Sequence, residues 1–138
     1  MTFLTTSAEI VGILNSLGFT QSFDAVDFKD APAQEYGKTF ILDCESGEAG
    51  DANDQQAAQL YDNQIWTVKV AFSKNSQSDY EQLKELHIQR DSLLTALDDR
   101  YTTISTIPIL RYLAWTVTKE PSYYILEIRL RVTEVLSY

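Results

Sequence analysis

The chain has 138 residues, 44% of them hydrophobic and 22% charged, the proportions of one globular domain that buries roughly 70% of its unfolded surface. Eleven Lys and Arg against 20 Asp and Glu leave a formal net charge of -9, which argues against phosphate-backbone binding, where affinity comes from Lys and Arg set against phosphates. Cys44 is the single cysteine, so no intrachain disulfide framework exists, and no apolar run reaches the roughly 20 residues that span a bilayer.

The opening "MTFLTTSAEIVGIL" lacks the basic region and continuous apolar stretch of a signal peptide, so a soluble protein made in a reducing cytoplasm is expected. From "TTSAEIVGILNSLGF" the spacing predicts a short amphipathic helix over 7–17. Thr6 and Glu9 are placed for a capping box, Ile10, Leu14 and Leu17 share a face, and Gly18 supplies the stop. Gly12 lowers its helix propensity, so packing against a sheet has to hold it.

After a connector containing Pro32, "KTFILDC" alternates as a strand with Phe40, Leu42 and Cys44 on one face. The acidic "ESGEAGDANDQQAAQ" offers no buried face and reads as a mobile loop between strands. "DNQIWTVKVAFSKN" is a central strand, with Trp66, Val68, Val70 and Phe72 on one side and Thr67, Lys69 and Ala71 on the other.

"SDYEQLKELHIQRDSLLTALDDR" predicts a long helix over 79–98, started by a Ser78/Glu81 capping box and carrying Leu83, Leu86, Arg90, Leu93, Leu94 and Leu97 at helical spacing. "RYLAWTVTK" follows with Leu113, Trp115 and Val117 aligned. A turn marked by Pro121 leads to "YYILEIRLRVTEV", in which Leu126, Ile128, Leu130 and Val132 face the core and Glu127, Arg129, Arg131 and Thr133 face outward. The expected fold is one α+β domain over residues 1–138, a mostly antiparallel sheet packed with two helices and ending in a β-hairpin.

No catalytic constellation emerges. His87 is the only histidine and sits beside the apolar stripe of the second helix, where a half-packed boundary role is expected. Cys44 lies between Asp43 and Glu45, and negative neighbours disfavour a thiolate. One Cys and one His do not make a four-ligand zinc site. "DANDQQAAQLYD" lacks the sixth-position Gly and twelfth-position Glu of a calcium loop, and "GEAGD" lacks the Lys-Ser/Thr pair of a phosphate loop. No cofactor or metal is expected, and the Trp66 and Trp115 stripes read as core.

The distinctive surface is the outer side of the last strand, Glu127, Arg129 and Arg131, with Lys69 beside it on the central strand. A solvated sheet face is one reading. The other is an interface, because the Arg fork forms bidentate bonds with carboxylates and this chain has a surplus of carboxylates to offer a second copy.

The order of "SAEIVGILNSL", "FILDCESGEAGD", "IWTVKVAF", "YEQLKELHIQRDSLLTALDD" and "LEIRLRVTEVLSY" resembles the tail terminator proteins of long-tailed bacteriophages over nearly the full length. The resemblance implies a structural, non-enzymatic virion subunit. It would form a hexameric ring, stop tail-tube growth and join the tail to the head connector, in the host cytoplasm during assembly and in the virion tail afterwards. On that reading Arg129 and Arg131 are subunit-contact or lumen residues, Lys69 and Glu127 their neighbours on the same face, and Asp51 and Asp54 contacts to the tail tube protein.

Two other classes stay open. A head-tail connector or neck subunit has similar size and assembly logic, and an acidic immunity or inhibitor protein would use the net charge to capture a basic toxin. A hydrolase would need Asp/Glu pairs brought together by the fold.

Overall fold

The computed structural model describes residues 3–21, 38–49, 60–75, 78–98 and 109–136. Among them run α1 (Phe3–Ser16), β1 (Thr20–Gln21), β2 (Thr39–Ala49), β3 (Leu60–Ser73), α2 (Asp79–Ala96), β4 (Ile109–Lys119) and β5 (Tyr123–Leu136). The strands form one sheet in the order β1-β2-β3-β5-β4, antiparallel except for the short β1–β2 contact. This is an α+β fold ending in the β4–β5 hairpin.

Both helices cover one face of the sheet. Ile10 and Leu14 of α1 and Leu93 and Leu97 of α2 join Phe40, Trp66, Val68, Val70, Leu126, Ile128, Leu130 and Val132 in a single apolar cluster. Period-two alternation in β3 and β5 aims these strand residues at the helices and sends Lys69, Glu127, Arg129 and Arg131 to the opposite side. Fully burying each Val, Leu or Ile in such a cluster is worth about 1.5–3 kcal/mol, which is how α1 tolerates Gly12 in its middle.

The helix ends follow local chemistry. Ser78 caps α2, its Oγ accepting from the Glu81 N–H at 3.3 Å. At the end of α1 the Phe19 N–H donates to Leu14 O and the Gly18 N–H to Asn15 O, both at 3.1 Å, with Gly18 at φ 92. This is the Schellman closure, in which glycine meets the left-handed requirement and the following Phe19 drops into the core.

Several features differ from expectation. Helix α1 begins at Phe3, and Thr6 lies inside it, fully buried, with its hydroxyl turned to Glu134. A long-range partner therefore takes the hydroxyl that the sequence pattern assigned to a cap. Leu17 falls in the closing turn and is 37% exposed instead of sharing the face of Ile10 and Leu14.

Strand β2 runs on through the acidic "ESGEA" to Ala49, and Ser46 to Ala49 pair with β3 after a bulge at Glu45, so the start of the expected loop is sheet. In β4 a register shift between Tyr112 and Ala114 throws Leu113 outward, 45% exposed, and the inward set becomes Leu110, Tyr112, Trp115 and Val117. Strand β1 is too short to carry a periodic signal.

Candidate interaction surface

On the face away from the helices, four positions of the two central strands carry the charges singled out above. Lys69 and Glu127 are direct cross-strand partners, and Thr67 stands opposite Arg129 and Ile65 opposite Arg131. Lys69 and Glu127 are half-buried, whereas Arg129 and Arg131 are exposed. The sheet brings all four onto one surface. Asp51 and Asp54 lie outside the described residues.

Arg129 reaches across β3 to β2, its Nη2 lying 3.4 Å from Glu45 Oε2. Both side chains are about half exposed (51% and 40%), so the pair contributes under about 1 kcal/mol. Glu45 arrives there because it is the extra residue of a β-bulge between Cys44 and Ser46. Arg131 has Arg111 directly opposite on β4, a like-charge juxtaposition that opposes pairing. A 240 Å³ cleft on this face is bounded by Ser46, Gly47, Glu48, Asn63, Ile65 and Arg131. Its Asn63 is oriented by Thr133, whose hydroxyl donates to Asn63 Oδ1 at 2.7 Å.

The face is not charged throughout. Toward the β3–β5 end near the hairpin, Ala71, Tyr123 and Ile125 form a second buried apolar cluster with Ile41 against it, and Thr67 is also buried. Sequence alternation assigned only one core face to the sheet, and the apolar residues at these outward positions are the signal of a second, smaller one.

The helix-covered face holds a polar network at the opposite end of the sheet. Trp66 Nε1 donates to Gln64 Oε1 at 2.7 Å, and Gln64 Nε2 donates to Asp62 Oδ2 at 2.7 Å and to Glu134 Oε2 at 3.2 Å. Glu134, only 1% exposed, also accepts from the Thr6 hydroxyl. The Cys44 thiol lies 3.9 Å from Gln64 Oε1. Burial, followed by the charges of Asp43, Glu134 and Asp62, pushes that thiol up from its ordinary value, the wrong direction for a nucleophile.

Asp62 and Glu134 are the one convergent carboxylate pair in this network, and the amide of Gln64 donates to both. The arrangement ties β3, β5 and α1 together. Its sequence signal was present: Asp62, Gln64 and Glu134 stand in phase with the apolar positions Trp66 and Val132.

His87 meets Trp115 edge to face at 5.5 Å, and Arg90 lies over the same ring at 4.3 Å with its Nη1 2.9 Å from His87 Nδ1. The histidine is half-buried at the edge of the core, as its position beside the apolar stripe implies. At the start of α2 a 260 Å³ cleft is bounded by Lys38, Phe72, Ser73, Asn75, Gln82, Glu85, Leu86 and Tyr124. There the Tyr124 hydroxyl donates to Asp79 and Lys74 Nζ lies 4.9 Å over the Tyr124 ring.

No protein-family model and no curated protein matches the chain. Among the described residues no three His, Cys, Asp or Glu side chains are grouped to hold a metal ion, and no helix is long and apolar enough to cross a membrane.

Proposed function

We propose that the protein is a non-enzymatic subunit of a homo-oligomeric ring. The ring caps the completed tail tube of a phage or prophage, stops its polymerisation and forms the joint to the head connector. The observation that carries the reading is the sheet face away from the helices, where Lys69, Glu127, Arg129 and Arg131 lie together on the central strands and both arginines are exposed. A surface of this kind meets another protein with charges of both signs, which fix register and reject wrong partners.

The order of elements supports the same reading, since the resemblance to tail terminators is one of order and size. The partners implied are further copies of the chain, the tail tube protein and the head connector protein.

The experiment is tube growth in vitro. Tube protein from the same phage or prophage is polymerised with and without this protein, and tube lengths are measured by negative-stain microscopy. The reading expects growth to stop at added protein, with density at one tube end. Unchanged lengths and bare ends would overturn it, and salt-sensitive capture of a basic toxin by a monomer would replace it with the inhibitor reading.

A further inference from the structure

We infer that copies of this chain associate head to tail through opposite sides of the sheet face that lies away from the helices. The arginine margin on β4 and β5 of one copy meets the carboxylate margin on β2 of the next. The inference deepens the ring reading and rests on it.

Charge is segregated across the sheet. Strand β2 contains Asp43, Glu45 and Glu48 and no basic residue, whereas the far side carries Arg111 on β4 with Arg129 and Arg131 on β5, and its one carboxylate on this face, Glu127, stands opposite Lys69 of β3. The two sets lie on opposite sides of β3, and the outer side of β2 is taken by the two-residue β1 at Thr39 and Phe40. Two surfaces that complement each other from opposite sides of one subunit make a heterologous contact, the kind that generates rings when the rotation closes.

Arg129 and Glu45 pair with each other, and the remaining charges differ from them. Arg111 Nη1 reaches the carbonyl of Leu110 at 3.1 Å, and among the described residues neither Arg111, Arg131 nor Glu48 forms an ion pair. Arg111 and Arg131 also face each other directly. A carboxylate from outside relieves that repulsion, and a chain of net charge -9 supplies one.

The register makes the fit specific. Ser46, Ile65, Arg131 and Arg111 occupy one continuous rung across β2, β3, β5 and β4. The successive antiparallel pairings also set β4 antiparallel to β2. When two copies stand side by side with their sheets level and β4 of one set outside β1 of the next, Arg111 of one lines up with Ser46 of the next, at the end of β2 away from the β1 contact at Thr39 and Phe40. Glu48 is then the diagonal neighbour two residues along and Glu45 lies in the adjoining bulge. Long side chains reach a diagonal partner. A level contact has no rise, the condition for a closed ring instead of an open helix.

The contact runs through side chains. The Tyr112 N–H on β4 is already bonded to Asp98 Oδ2 at 3.3 Å, and the bulges at Glu45 and Leu113 flank the single rung Cys44, Trp66, Leu130, Tyr112. Such features blunt an edge against indiscriminate strand addition, leaving side-chain charge to select the partner.

The test is a charge-reversal cycle on the full chain: wild type, Arg111→Glu, Glu48→Arg and the double variant, each checked for folding by circular dichroism and then weighed by sedimentation. Each single reversal is expected to raise the concentration for half-assembly about tenfold or more, and the double variant to return it to within about threefold of wild type. If the wild type assembles and Arg111→Glu assembles equally well, the contact is wrong and the ring reading stands. Folded single variants whose defects add in the double variant also overturn it, as does a wild type that saturates at two copies, the mark of a face-to-face dimer. A wild type that is monomeric throughout overturns the contact and the ring reading together.

Discussion

The Thr6 hydroxyl on α1 donates to the carboxylate of Glu134 on β5, joining the first helix to the last strand across 128 positions of sequence. Both residues are buried, and the other carboxylate oxygen is held by Gln64. Thr6→Val keeps the shape and removes the donor, which leaves a buried carboxylate oxygen unsatisfied. We expect a loss of about 1–3 kcal/mol, read as a lower urea midpoint at unchanged slope, with Thr6→Ser costing less. An unchanged midpoint in Thr6→Val would show that the bond contributes nothing to stability.

Gly12 and Gly18 are predicted to respond in opposite directions. A Cβ at Gly12 meets nothing within 4 Å, so Gly12→Ala gains helix propensity and should stabilise by about 0.5–1 kcal/mol. Gly18 sits at φ 92, where any L side chain is strained, so Gly18→Ala should destabilise. Thermal unfolding of the two variants beside wild type decides both signs.

The Tyr124–Asp79 hydrogen bond makes stability depend on pH at both ends. Donation to Asp79, helped by burial, pushes the Tyr124 phenol up from 10.0 to about 12. Its stabilising contribution is therefore complete below pH 10 and lost as pH rises toward 12. The same bond lowers the Asp79 carboxyl below its ordinary 3.8, so the contribution on that side is present above about pH 4 and lost as pH falls through the depressed value. In an ultraviolet titration of tyrosinate, Asp79→Asn should bring the Tyr124 transition down toward its ordinary value. A transition left near 12 would show that burial alone sets it.

Arg90 covers the Trp115 ring with its side chain only 20% exposed. Arg90→Ala should cost about 0.5–1 kcal/mol for the cation over the ring, together with the packing of the stem. Arg90→Met should recover the packing part alone. Equal stabilities of the Ala and Met variants would contradict the split.

Much of the fold was legible because period-two alternation in β3 and β5 is uninterrupted and the Ser78/Glu81 pair marks the start of α2. Positions whose placement depends on distant parts of the chain were not. Thr6 looks like a cap until Glu134 is brought to it, Leu113 looks inward until a bulge shifts its phase, and "ESGEA" looks like a loop until β3 pairs with it.

The interaction surface was legible in part. Lys69, Glu127, Arg129 and Arg131 do share a face. Their relation to Arg111, Glu45 and Glu48 depends on strand order and register, which placed β2 and β4 at opposite sides of the sheet. The polar intrusions Asp62, Gln64 and Glu134 in apolar phase were readable signals that alternation counting alone passes over.

A ring requires self-association, and the absolute mass of the protein in solution, measured by light scattering across a concentration series at low and moderate salt, tests for it directly. A ring of six copies predicts growth with concentration toward about six times the 15.7 kDa subunit, weaker at higher salt because exposed charges are screened. A strict monomer at every concentration and salt would contradict it.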